Sequence, residues 1–172
     1  MVSGPSREKE LCMKTLSLAA LVALYAASAA AENAPLPKSG SVKHAAYTVC
    51  RTVGTIDLGE VGSNTSAECT GVVKTSDGSK LLDNLAIRCL EESVARKSGY
   101  KFTGNCVETD ADGDRLYIVY EGPESGPLDV LGGSGKFKGL TGKGQWRVTD
   151  APGNTASLFT FTLDYDFTWK ID

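Results

Sequence analysis

One histidine, His44, serves a chain of 172 residues. Serine or cysteine hydrolase chemistry needs an imidazole held by a partner, and this lone residue near the amino end has none, which excludes a triad. Basic runs are missing too: 18 Lys and Arg stand against 21 Asp and Glu, a net charge of −3. Nucleic acid binding needs a Lys/Arg stripe to neutralise phosphates, so that class is excluded. Beyond Ala31 no apolar run is long enough to cross a bilayer. No segment keeps a helical repeat beyond about two turns.

The amino end has a different character. Arg7, Lys9 and Lys14 form a basic start, and "LSLAALVALYAASAAA", Leu16 to Ala31, follows. The run is short for a membrane anchor, the rival reading. Ala29 and Ala31 fit the small-x-small cleavage rule, so residues 1–31 read as a signal peptide, with Glu32 first in the mature chain. Met13 opens a more compact version of the same signal. Cys12 leaves with it. Cleavage removes three basic and two acidic residues, leaving 15 and 19. Residues 32–43, "ENAPLPKSGSVK", read as a flexible mature start, and residues 44–172 as one domain. The expected compartment is exported, periplasmic or secreted, with no membrane attachment after cleavage.

Four cysteines then remain: Cys50, Cys69, Cys89 and Cys106. An even number in an exported chain reads first as disulfides. Zinc is the competing reading, but spacings of 19, 20 and 17 contain no close pair and His44 lies outside any ligand pattern. Buried free thiols are the third alternative.

Almost every remaining segment is strand-like. Strands are expected over 45–54, 67–75, 84–95, 100–109, 115–121, 127–131, 143–149 and 157–169, with "SDGS", "RKSG", "ADGD", "GPESGP" and "DAPGN" as turns. Eight short antiparallel strands in one domain imply a sandwich or a closed barrel. Two hairpins can be registered. In "ARKSGY" a loop Arg96–Gly99 pairs Ala95 with Tyr100 and brings Cys89 opposite Cys106, within disulfide reach. That assigns Cys89–Cys106, and by elimination Cys50–Cys69. In "DADGDRL", Asp112-Gly113 reads as a two-residue primed turn, pairing Glu108 with Tyr117, Cys106 with Val119 and Gly104 with Glu121. This register puts Glu91, Glu108, Tyr117 and Glu121 on one face.

The stretch "LDVLGGSGKFKGLTGKGQW", Leu128 to Trp146, packs six glycines and three lysines into nineteen residues. It is not a P-loop: the position five before Gly142-Lys143 is Phe137, and five before Gly135-Lys136 is Val130. Nor is it a dinucleotide fingerprint, because after Gly133-Ser134-Gly135 the next glycine, Gly139, comes one residue late. No cofactor is implied. The pattern L-x-V-x-G-G-S/T-G-K-F-x-G-x-x-G resembles the signature segment of plant allene oxide cyclases and dirigent proteins. The ending "SLFTFTLDYDF" is similar to the closing strand of the cyclases. "GNCVETDADGDRLYIVYEG" resembles an exported bacterial branch with the same glycine-rich ending. The resemblance implies an all-β fold, an eight-stranded antiparallel barrel, and assembly as a homotrimer. The cyclases' pocket motif, and their assisting glutamate and cysteine, have no residue-by-residue match, so no catalytic residue is carried over.

Three functions fit. A barrel of this size can hold a small apolar molecule in its lumen. It can instead act as an isomerase or cyclase of the allene oxide cyclase type, or be a filled structural or partner-binding protein. If the acid-bearing face points inward, Glu91, Glu108 and Glu121 with Tyr117 are desolvated groups suited to acid–base work. Asp110, Asp112 and Asp114 could hold calcium through alternate carboxylates, against a plain solvated turn. Asn64-Thr65-Ser66 is a formal glycosylation acceptor. The carboxy-terminal aromatics, Trp169 among them, read as core, and His44 as a surface residue.

Overall fold

The computed structural model describes residues 36–172 apart from 81, 153, 154 and 156. The expected signal peptide, residues 1–31, and its cleavage site lie outside the described residues. Eight strands follow one another: β1 (Ser39–Asp57), β2 (Gly62–Thr75), β3 (Leu85–Arg96), β4 (Gly99–Thr109), β5 (Arg115–Gly122), β6 (Ser125–Gly133), β7 (Leu140–Asp150) and β8 (Leu158–Ile171). Each pairs antiparallel with the next, and β8 closes on β1, giving one closed barrel. Among the described residues no helix is long and apolar enough to cross a membrane.

Period-two alternation explains the wall. In β8, Phe161, Leu163, Tyr165, Phe167 and Trp169 are buried, while Asp166 and Thr168 between them are exposed. In β3, Leu85, Ile87, Cys89 and Glu91 point in, and Ala86, Arg88, Leu90 and Glu92 point out. All eight expected strands are present. β1 begins at Ser39, so five residues read as part of a flexible start are strand. Val42 is buried, and Trp169 lies over Gly40 where a side chain would stand.

The cysteines form a single row across four strands. Cys50 is opposite Cys69, Cys69 opposite Cys89, and Cys89 opposite Cys106. Disulfides join Cys50 to Cys69 and Cys89 to Cys106, with Cα separations of 4.0 and 4.1 Å. These are the expected pairings, and the β3–β4 register with Ala95 opposite Tyr100 is also the expected one.

The β4–β5 register is not. Glu108 pairs with Leu116, Cys106 with Ile118 and Gly104 with Tyr120, one residue away from the expected ladder. The turn is longer than Asp-Gly alone. The Asp110 carboxylate accepts the N–H groups of Asp112 and Asp114, both at 2.9 Å. The Asp110 N–H donates to the Asp114 carbonyl, and Gly113 takes the left-handed conformation at φ 87°. This is a three-residue loop with a glycine bulge. A slip of one residue turns every side chain over. Leu116, Ile118 and Tyr120 therefore face in, while Tyr117 and Glu121 face out.

The glycine-rich stretch is the last strand of one hairpin, a single 3-10 turn (Gly135–Phe137) and the first residues of β7. Gly135 sits at φ 57°, and a Cβ there would run into the Asp114 carboxylate. Phe137, buried, is what the tucked turn delivers to the barrel.

Candidate ligand site at the barrel mouth

Alternation along the strands sends an unusual set of polar groups inward. Glu91 from β3 and Glu108 from β4 are 2% and 0% exposed, and His44 from β1 is 1% exposed. Two buried tyrosines meet the acids. The Tyr120 hydroxyl donates to Glu91 Oε1 at 2.5 Å, and the Tyr165 hydroxyl donates to Glu108 Oε1. The second oxygen of each carboxyl, Oε2, has no hydrogen-bond partner. Burial pushes both acids up to about 7, against the donated phenol bond, which favours the charged form. The same burial, with the adjacent carboxyl, raises both phenols well above their ordinary value. In each pair it is therefore the carboxyl, and not the phenol, that loses its proton first as pH rises.

Gly104 makes room for the first pair. Tyr120 is directly opposite it, and a Cβ at Gly104 would overlap the phenol ring. Tyr120 packs 4.8 Å from Trp146 and 5.9 Å from Phe102, ring centre to ring centre. Phe102 in turn faces Phe161 edge-on. Above this aromatic layer lies the end of the barrel that carries the β1–β2, β3–β4 and β5–β6 connections. A cavity of about 420 Å³ opens there, lined by Tyr100, Phe102, Val148, Phe159 and Phe161, with Pro123 and Glu124 at its edge. The Tyr100 phenol is raised by burial and, more weakly, by the Glu91 charge, so the acid is felt at the mouth. Below the layer the lumen holds further buried side chains, among them Tyr165, Phe167 and Trp169.

Of the four weak catalytic candidates, the barrel brings Glu91 and Glu108 into its interior and leaves Glu121 and Tyr117 outside. Glu121 is exposed and pairs with Lys101 at 2.7 Å. The aspartate trio does not present a free oxygen cage. Lys136 reaches Asp110 at 2.6 Å and Asp112 at 3.3 Å, and its backbone N–H donates to Asp114. An ammonium occupies the place of a cation, and Asp110 is committed to the turn.

His44 is the plainest correction. It is buried between Tyr165 and Phe167, edge-on to both at 5.0 and 5.7 Å. Nε2 donates to the Leu82 carbonyl at 3.0 Å, and Nδ1 has no partner. Burial lowers its pKa to about 4, so it is neutral inside the barrel. The signal for this lay in "SVKHAAYTVC": Val42, His44, Ala46, Thr48 and Cys50 alternate inward together.

No family model and no curated protein matches the chain. Solved structures do. A pterocarpan synthase dirigent protein aligns over 80% of this chain and 89% of its own, at 11% identity and a TM-score of 0.50. The fold is that of a dirigent-type barrel. A second pterocarpan synthase dirigent protein matches at 11% identity over 79% of this chain and 98% of its own, with a TM-score of 0.48. At such identity the likeness of a dirigent-type barrel is one of fold alone. What this barrel places at its mouth has to be argued from its own residues.

Proposed function

We propose that this is an exported dirigent-type barrel that binds a small apolar molecule at its mouth, above the Glu91–Tyr120 pair. The observation that carries the reading is the aromatic cavity of about 420 Å³ between Tyr100, Phe102, Val148, Phe159 and Phe161. Its size is that of a small-molecule site, and its walls are apolar with few polar groups at the rim. Because the middle of the barrel is packed with side chains, the ligand position moves from the lumen to this end. Two disulfides fit the oxidising compartment that export implies. A second reading, isomerase or cyclase chemistry at the same mouth, is favoured by one feature. A buried carboxyl raised to about 7 lies behind the Phe102 layer and can exchange a proton near neutrality.

The test is native mass spectrometry on protein from its own host, beside titration with the apolar dye 1-anilinonaphthalene-8-sulfonate. A small molecule that leaves on denaturation, or dye binding that Val148→Trp abolishes, is the expected result. A protein that carries no extra mass, and binds dye equally well after Val148→Trp, has no site at this mouth. If a ligand is found and it is turned over, Glu91→Gln should stop turnover while retaining binding.

A further inference from the structure

The cysteine row has a neighbour that disulfide chemistry does not use. Glu91 lies diagonally across from Cys69 on the inner wall, and its carboxylate and the sulfurs of Cys50 and Cys69 all lie within 4.8 Å of one another. All three residues are buried. Glu91 Oε1 is already held by Tyr120, whereas Oε2 has no partner. A ligating carboxylate is commonly oriented in this way, one oxygen fixed by an outer hydrogen bond and the other left for the metal.

We propose that the reduced chain holds a thiophilic divalent cation, with zinc as the natural occupant, between Cys50, Cys69 and Glu91, and that closing the disulfide expels it. Reduction by a dithiol transfers two electrons and two protons to the Cys50–Cys69 bond, and the dithiol leaves as its own cyclic disulfide. Zinc then displaces the two thiol protons and is held by two thiolates and one carboxylate. On reoxidation by a small-molecule disulfide, one thiolate attacks it and releases a first thiolate, the second displaces the other, the Cys50–Cys69 sulfur–sulfur bond re-forms, and the ion is released. Ligands on one tetrahedral zinc, each about 2.0–2.3 Å from it, lie roughly 3.5 Å apart, so on reduction the two sulfurs, bonded to each other in the disulfide, part while the Glu91 carboxylate closes on them from within 4.8 Å. The spacing of 19 residues hid this group from the sequence, because strand pairing and not a knuckle brings the two cysteines together.

Co²⁺ titration of the full chain, reduced and oxidised, reads the site through thiolate-to-cobalt charge-transfer absorption. The reduced protein should take one ion and the oxidised protein none. Cys12→Ser/Cys89→Ser/Cys106→Ser, which leaves only the Cys50–Cys69 pair, should still bind one. Cys50→Ser should abolish the band, Glu91→Gln should weaken binding at least tenfold, and Tyr120→Phe should weaken it by about tenfold through the lost outer bond. Bound ion should also shield Cys50 and Cys69, but not Cys106, from iodoacetamide. Circular dichroism reports whether the reduced chain is folded before metal or folds with it, and either case supports the site if the variants behave as stated. Equal uptake by oxidised protein, no uptake by reduced protein, or uptake indifferent to Cys50→Ser and Glu91→Gln overturns it.

Discussion

Removing a single hydroxyl separates the two states of Glu91. In the barrel its carboxyl receives one hydrogen bond, from Tyr120, and that bond favours the charged form against burial. Tyr120→Phe should therefore destabilise the fold by about 1–3 kcal/mol, the cost of leaving a buried polar group unmet. The loss should be larger at pH 8, where the folded-state carboxyl is ionised, than at pH 5, where it is neutral. Urea unfolding at the two pH values checks this: an equal loss at both would mean that the hydroxyl bond does not depend on the charge of Glu91, and no loss that Tyr120 contributes packing only. The acid was legible in the sequence and the phenol was not. Glu91 followed from the Arg96–Gly99 turn, which registers β3 against β4 correctly. Tyr120 depended on the next hairpin, whose expected register put Tyr117, opposite Glu108, on the inner face in its place.

At the scale of the element, that hairpin turns on Asp110. Its carboxylate accepts two backbone N–H groups and meets the Lys136 ammonium, so one side chain ties the β4–β5 turn to the glycine-rich turn. Asp110→Ala should cost about 1–2 kcal/mol in thermal or urea unfolding, while Asp110→Asn, which keeps the acceptor oxygen, should cost less. If both variants cost the same, the ammonium contact and not the turn accounts for the stabilisation. The sequence "DADGD" is compatible with a two-residue primed turn and with the three-residue loop found. Alternation in β5 favours the loop found, since Leu116, Ile118 and Tyr120 are more apolar as a set than Tyr117, Val119 and Glu121, but the Asp-Gly turn signal on its own points to the other register. Where two observations coincided, as the turn and the cysteine spacing did for β3–β4, the register was readable. The glycine-rich stretch was readable for a different reason: glycine spacing that fails both phosphate motifs leaves only turn-and-strand geometry. His44 was misread because the expected first strand began at residue 45, which left His44 outside the inward alternation that runs from Val42 to Cys50.

For the molecule as a whole, the inward polar groups set an unusual dependence of stability on pH. Glu91 and Glu108 hold their protons more tightly in the barrel, with pKa values of about 7, than in the unfolded chain, where 4.5 is ordinary. Between those values the folded state binds more protons, so stability falls as pH rises, and their contribution is complete below about 4.5 and gone above about 7. His44 acts in the opposite sense. Its pKa drops from 6.5 to about 4 on folding, so its contribution is lost as pH falls through that range. From 4.5 to 6.5 two acids oppose one imidazole, and the net slope is downward with pH by at most about 1.4 kcal/mol per unit. Below about 4 the carboxylates held low by backbone N–H groups, Asp77 by Ser79 and Asp83 by Thr75, begin to protonate and stability falls again. The barrel should therefore be most stable near pH 4.5–5, below the neutral range usual for globular domains. Unfolding free energy measured from pH 3 to 9 tests the whole balance. In Glu91→Gln/Glu108→Gln the slope between pH 4.5 and 6.5 should change sign, because His44 alone remains to titrate there. A parent protein whose stability rises steadily from pH 5 to 7 would mean that the two carboxyls are solvated or charge-paired, and not the desolvated acids that their positions in the wall make them.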